Sequence, residues 1–141
     1  MDYLALINDN LYEFENEDGT TSDDWTLVTG WDRKFGKRWS LYLESTNTQE
    51  FITALEKEAG IPPIYSEGSG RGAKTYLHPL LTIHYAEWLS PQFSIAAKQV
   101  LHRYLKGDVT LADEIVERNI EQTGSTKDAQ DYYNALHGGL N

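Results

Sequence analysis

Apolar residues recur along this chain at two spacings, and the breaks between them are marked by glycine and proline. "DYLALI" and "LYEFE" flank Asn8-Asp9-Asn10, residues that tolerate turn geometry, which predicts an N-terminal β-hairpin within residues 1–17. After the turn-like "NEDGTT", Ser22 can cap a short helix. Asp23 and Asp24 would lie in its first turn, where the helix dipole favours acids, and Gly30 would close it. A helical stretch from about Arg38 to Glu44 then leads, across a tight "STN" turn, into a second helix starting at Asn47 or Thr48. Glu50 is placed to bond back to a cap at Asn47. Phe51, Ile52, Leu55 and Ala59 make one apolar stripe on that helix, and Gly60 ends it. Two helices across a tight turn outline a helix-turn-helix.

The second half of the chain carries the stronger punctuation. Two prolines restrict "IPPIY" to an edge strand or extended arm, and "TYLH" can return antiparallel to it through "SEGSGRGAK". Gly68, Gly70 and Gly72 let the tip of that ribbon take positive φ and approach a partner's backbone closely. His78 can cap the next helix and Pro79 suits its first position. Leu80, Leu81, Ile83, Tyr85, Ala86, Trp88 and Leu89 then make it apolar almost all round, which predicts burial. Ser90-Pro91 restarts the chain as cap and first helical residue, and Phe93, Ala96, Ala97, Val100, Leu101 and Tyr104 repeat at helical spacing up to Gly107. Beyond it, Thr110 starts "LADEIVERN" and Ser125 or Thr126 starts "DAQDYYNALH". This divides the chain into a main domain, 1–107, and a helical C-terminal extension, 108–141.

A length of 141 residues suits one core of this kind. An apolar content of 40% excludes a disordered chain, and no apolar run reaches the roughly 18 residues that cross a bilayer, so no membrane partner is expected. Met1 leads into "DYLALI" with no basic start and no small-residue cleavage site, and there are no cysteines. Both readings point to a soluble cytoplasmic protein. The net charge of −10 changes the picture only when divided. Residues 1–30 hold eight acids and no Lys or Arg; 31–60 hold five of each; 61–107 hold two acids and five bases; 108–141 hold seven acids and two bases. The middle is mildly basic and the two ends are strongly acidic, a division that separates a contact surface from solvating ends.

The chemistry follows that division. "WDRKFGKRW" interleaves Arg33, Lys34, Lys37 and Arg38 with Trp31, Phe35 and Trp39, and cations of this kind displace counterions from phosphates while the rings anchor the loop or stack. Arg71 and Lys74 add positive charge to the glycine-rich tip. Lys74 is followed by "TYLH", which reads as strand, so this segment is not a phosphate-cradling loop opening a helix. On the helix from Thr48, Gln49 and Thr53 are the candidates for base edges, but Glu50, Glu56 and Glu58 share the outward positions and repel phosphate. His78, His84, His102 and His137 show no metal-ligand spacing, and no nucleophile, histidine and acid group by motif. No catalytic residue, metal or cofactor is therefore expected, and the protein reads as non-enzymatic.

"TYLHPLLTIHYAEWLSPQF" is similar to the signature of the KilA-N domain, a DNA-binding module of bacteriophages and large DNA viruses related to the APSES domain of fungal transcription regulators. The likeness is carried by Gly72, Thr75, His78-Pro79, Leu80, Ala86, Trp88-Leu89, Ser90-Pro91 and Phe93. Upstream, "FGK" at Phe35 to Lys37 and "TNTQEFITAL" with Thr48, Phe51, Ile52 and Leu55 fall in the family's order, so the resemblance runs from roughly Asp18 to Lys106. It implies an α+β, winged-helix-like fold: a helix-turn-helix at about 38–59, a glycine-tipped wing at about 61–78, then packed C-terminal helices. The small-polar run expected after the "DG" turn is blurred here to "TTSDDW". Two functions follow. One is a phage-type protein that binds duplex DNA, with Arg33, Lys34, Lys37, Arg38, Arg71 and Lys74 on phosphates and Gln49 and Thr53 on bases. The other is an acidic protein-binding module that inhibits a basic, nucleic-acid-binding host protein as an anti-defence factor. The C-terminal helices are candidates for self-association.

Overall fold

The computed structural model describes residues 3–15 and 21–123. The helix expected from Ser125 or Thr126 lies outside them. In chain order the elements are α1 (Tyr3–Asp9), β1 (Leu11–Glu15), β2 (Thr21–Leu27), α2 (Trp31–Lys34), α3 (Trp39–Glu44), α4 (Thr46–Ala59), β3 (Ile64–Glu67), β4 (Lys74–Leu77), α5 (Pro79–Leu89), α6 (Pro91–Leu105) and α7 (Thr110–Thr123). The four strands form one antiparallel sheet in the order β1-β2-β4-β3. The fold is α+β. Two compact units divide the chain, Met1–Ser94 and Ile95–Asn141.

The first 30 residues differ from expectation. "DYLALI" is not a hairpin strand but helix α1, and the Asn8-Asp9-Asn10 cluster closes that helix: Asn10 Nδ2 donates to the Leu6 carbonyl at 2.7 Å and its backbone N–H to Ile7 at 3.1 Å. A short apolar run lacks the alternation that would force a strand, and its Leu and Ala favour helix. The hairpin exists, but as β1 with β2, over residues 11–27. The segment expected as a helix capped by Ser22 is strand β2. Trp25 and Thr26 are aromatic or β-branched and suit a pleated surface, and β2 pairs with β1 between Thr21 and Thr26 and with β4 at Thr26 and Leu27, so the sheet supplies its backbone partners. Gly30, at φ 88°, precedes α2 rather than ending a helix.

Alternation along the strands separates two faces. Thr26, Val28 and Leu77 are buried, and Ile64 packs against the same core. Tyr12, Leu27, Tyr65 and Tyr76 fall on the other face by register, where the Tyr76 ring lies 4.7 Å from Tyr12 and 5.9 Å from Tyr65. Helix α5 lies against the inner face, touching β2 and β4. Its start is fixed locally: Pro79 occupies the first turn and His78 Nδ1 accepts from the Leu80 N–H at 3.2 Å. Leu81, Thr82, Tyr85, Ala86 and Leu89 are buried. The expected all-round burial fails at Leu80 and Ile83, which are exposed, because a helix on a single sheet face turns its far side to water.

An aromatic cluster joins α2, α3 and α5. Trp31 stacks on Tyr85 at 6.2 Å, Trp39 meets Tyr85 edge-on at 5.0 Å, and Tyr42 lies 4.7 Å from Tyr85 and 5.3 Å from Trp88. Each such pair contributes about 0.5–1.5 kcal/mol beyond the area it buries. Burial, reinforced by neighbouring Tyr85, raises the Tyr42 phenol above its ordinary pKa; burial and then Asp32 raise that of Tyr85. Both stay neutral. Helix α3 passes to α4 through Ser45 alone, and α4 ends at Gly60, whose φ of 73° supplies the left-handed cap. On α4, Thr48 and Leu55 are buried and Phe51 and Ile52 are half-buried, whereas Ala59 is exposed.

Ser90 caps α6, its Oγ accepting from the Phe93 N–H at 3.2 Å. Of the stripe expected on this helix, Phe93 is buried, Ala97 is half-buried, and Ala96, Val100, Leu101 and Tyr104 are exposed. In the second unit, Gly107 at φ 71° ends α6 and Asp108 begins the turn into α7. The Asp108 carboxylate accepts from the N–H and hydroxyl of Thr110, and Arg103 pairs with Asp108 at 2.9 Å and Glu114 at 2.6 Å. The Thr110 hydroxyl and then Arg103 lower the Asp108 carboxyl to about 2.

Candidate nucleic-acid interface

The two cation-bearing stretches are held by different means. In the first, Gly30 turns the chain out of the sheet, and Trp31 enters the core while Arg33 and Lys34 remain exposed on α2. Phe35 and Trp39 pack against the same core, so the loop is pinned at three rings and presents its charges between them. Lys37 behaves differently. Its Nζ donates to the Trp88 carbonyl at 2.9 Å and lies 5.1 Å from the Trp88 ring. A cation on the last carbonyls of α5 complements that helix's dipole, so Lys37 joins the loop to α5. Arg38 is exposed at the start of α3.

The second stretch is the β3–β4 ribbon. Its ladder runs from Ile64 opposite Leu77 to Glu67 opposite Lys74. At its end Gly68 and Gly70 take φ of 78° and 64°, a single 3-10 turn spans Gly70–Gly72, and Arg71 is exposed at the apex. A side chain at Gly68 would add the strain of its positive φ to a 3.4 Å approach to the Gly72 carbonyl. Thr29 ties the ribbon to the sheet, accepting at Oγ1 from the Thr75 N–H at 2.9 Å, while the Val28 N–H donates to the Thr75 carbonyl at 2.9 Å. Glu67 opposite Lys74 offsets part of the local charge.

Register fixes where the acids lie along the sheet. Thr26 pairs with Leu77 and Leu27 with Tyr76, so continuing the antiparallel register sets Lys74 level with Thr29. Asp24 is five residues earlier on β2, about 16 Å away along the strand at ~3.3 Å per residue. Asp23 lies farther in that direction, and on β1 position 13 falls between the Tyr12–Trp25 and Phe14–Ser22 pairs and Glu15 opposite Thr21. The ribbon tip thus leaves the sheet at the end where β2 passes into the Arg33–Arg38 stretch, and the acidic strand positions run the opposite way. Among the described residues, Arg33, Lys34, Arg38, Arg71 and Lys74 make no ion pair.

Helix α4 offers less. Gln49 and Thr53 are exposed, but the Gln49 side-chain amide donates to the Leu43 carbonyl and so braces the α3–α4 turn. Glu50, Glu56, Lys57 and Glu58 are exposed on the same helix. What positions α4 was not legible in the sequence: His84 Nδ1 accepts from the Tyr42 hydroxyl at 2.8 Å, its Nε2 donates to Asn47 Oδ1 at 3.0 Å, and its ring stacks on Phe51 at 4.3 Å. A neutral imidazole protonated at Nε2 satisfies both contacts. Burial lowers the His84 pKa, partly opposed by Glu87. The partners lie more than 30 residues away in sequence, with no spacing to announce them; the same holds for Lys37 with Trp88. Among the described residues no three His, Asp or Glu side chains gather as a metal site, and no helix is long and apolar enough to cross a membrane.

The model of the KilA-N domain matches residues 19–107, from the end of the β1–β2 connection to the end of α6. The chain belongs to the KilA-N domain family. Within the KilA-N match lie both cation-bearing stretches, α3, α4 and α5. The chain is also similar to "Protein kilA" of Escherichia phage P1, at 36% identity over 66 residues, which is 47% of this chain and 24% of that protein. It thus spans about a quarter of the length of the phage relative. No solved structure matches it.

Proposed function

We propose that this KilA-N protein is a non-enzymatic, phage-type DNA-binding protein that grips the duplex backbone from one end of its sheet. The observation that supports the reading is the strand register: the ribbon tip leaves the sheet at the end where β2 runs on toward the Arg33–Arg38 stretch, and the acid-rich strand positions run the other way. Arg33, Lys34, Arg38, Arg71 and Lys74 neutralise phosphates, while Lys37 chiefly braces α5. In this reading α3 and α4 act as the helix-turn-helix of a winged-helix fold and β3–β4 is its wing. Thr53 is the free base-edge candidate on α4, with Gln49 released only if it leaves Leu43. Three glutamates on α4 limit base reading, so the binding is dominated by backbone charge. The protein works in the cytoplasm of a bacterial host, residues 1–107 forming the binding module and 108–141 an extension. Five phosphate contacts give a slope of log affinity against log salt near −4.5, about −0.9 per contact. Fluorescence anisotropy with a labelled duplex tests this, and absence of binding at low salt would refute it.

A second reading draws on the exposed Glu50, Glu56 and Glu58 of α4 together with the acidic termini. On it, α4 presents negative charge to the nucleic-acid channel of a basic host protein, as an anti-defence inhibitor would. A pull-down from host lysate that recovers one basic nuclease or regulator, with no retention of the protein on DNA, would favour it over the first.

A further inference from the structure

We propose that His84 is a positioning residue operated by one proton: as a neutral ring it holds α3 and the first turn of α4 against α5, and a proton at Nδ1 releases them. The inference deepens the DNA-binding reading, on which the use of this device rests, because Arg38 stands at the start of α3 and Thr53 on α4. Three elements meet at this one ring. From α5 it accepts from the Tyr42 hydroxyl of α3 at 2.8 Å, donates to Asn47 Oδ1 of α4 at 3.0 Å and stacks on Phe51 of α4 at 4.3 Å.

The two hydrogen bonds respond differently to a proton. Nε2 carries its hydrogen in either state and keeps Asn47. At Nδ1 the acceptor becomes a donor, so the Tyr42 oxygen must turn a lone pair to the ring and its own hydrogen loses its partner. Tyr42 is 0% exposed, so no solvent takes that hydrogen, and a buried donor left unpaired is costly. Ionising the phenol offers no escape, because burial and then Tyr85 raise its pKa above the ordinary value. Nor do the surroundings compensate. From α4 come Asn47 and Phe51, which do not titrate, and Tyr85 of α5, 4.7 Å from Tyr42, stays neutral. Glu87 of α5 favours the proton, but its carboxylate also accepts from Ser94 Oγ at 3.1 Å, and burial outweighs it, holding His84 below its ordinary 6.5. The proton is accommodated by parting His84 from Tyr42, which loosens the ring that α3 and α4 share.

Nitrogen NMR of the imidazoles in the full chain without DNA, from pH 8 to pH 5, tests the device independently of the DNA-binding reading. His84 is expected as the neutral, Nε2-protonated tautomer at pH 7.5 and to titrate below 6.5, with the amides of Tyr42 and Asn47–Phe51 moving at the same midpoint. A ring already charged at pH 7.5, or amides that stay still while His84 titrates, would overturn the proposal. Anisotropy with a labelled duplex at constant salt then tests its use. Affinity should fall roughly fivefold from pH 7.5 to 5.5, about the worth of one hydrogen bond, although added protons by themselves strengthen phosphate binding. The fall should vanish in His84→Gln and shrink in Tyr42→Phe, which has no hydroxyl to strand, and should persist in His102→Gln from the second unit. A rise in the wild type, or an equal fall in His84→Gln, would contradict the coupling. No binding at any pH would refute the DNA-binding reading alone, with the NMR titration still deciding whether the proton moves α4.

Discussion

Replacing both ribbon cations, Arg71→Gln with Lys74→Gln, tests the share in DNA binding proposed for the ribbon. Both side chains are exposed, neither makes an ion pair among the described residues, and the tip's glycines are untouched, so the fold should persist. Removing two of five phosphate contacts should change the salt slope from about −4.5 to about −2.7. Extrapolated to a 1 M reference, each contact contributes about 0.9 log units at 0.1 M salt, so the double variant should lose roughly 60-fold there. The loss should grow to about 200-fold at 50 mM and shrink to about 20-fold at 200 mM. Fluorescence anisotropy with one duplex at the three salt concentrations measures slope and loss together, with Lys106→Gln as a charge control from the second unit. A slope unchanged in the double variant would refute the reasoning, and so would a change in Lys106→Gln as large per charge removed, because net charge alone would then explain the binding.

Three further outcomes are expected. Gly70→Ala places a Cβ at φ 64°, with open space around it, so it should cost about 1–2 kcal/mol of local strain; hydrogen exchange should show faster opening at 68–75 with little change in α5. Lys37→Met removes a cation from the α5 C-terminus and should lower stability by about 0.5–1 kcal/mol, read from urea unfolding, while moving the salt slope by much less than one unit. For His84 the sign follows from its lowered folded pKa: the unfolded chain binds the extra proton first, so this contribution is present above about 6.5, the unperturbed value, and is lost as pH falls below it. Urea midpoints should drop between pH 7.5 and 5.5, and the drop should be smaller in His84→Gln; an identical pH dependence would show that His84 is not the group responsible.

The legible parts of the fold are those whose boundaries have a local cause. Gly60, the His78-Pro79 pair, Ser90-Pro91 and Gly107 each fix φ, remove a donor or supply a cap within a few residues, and α4, α5 and α6 begin or end at them. The tip of the ribbon was legible for the same reason. "LYEFE" reads as a hairpin strand and is β1, but its flanks were not legible, because "DYLALI" and "TSDDWTL" take their conformations from partners rather than from themselves: Leu6 and Ile7 pack on the core, and β2 pairs with β1 and, at Thr26 and Leu27, with β4. In the candidate interface, Arg33, Lys34 and Arg38 could be read from alternation of rings with cations and Arg71 and Lys74 from the glycine-rich tip; all five are exposed. The diversion of Lys37 to Trp88, of Gln49 to Leu43 and of Thr29 to the ribbon could not, since each depends on a backbone group brought near only by the fold.

The central claim, that a duplex is held at the ribbon end of the sheet and away from the acid-rich strands, is tested most directly by NMR titration of the isotope-labelled chain with a short duplex. Amide shifts are expected at Arg33–Arg38 and at Gly68–Lys74, with those of Leu11–Glu15 and Thr21–Asp24 unmoved. Shifts confined to β1 and β2, or none at a salt concentration where the duplex is bound, would contradict it.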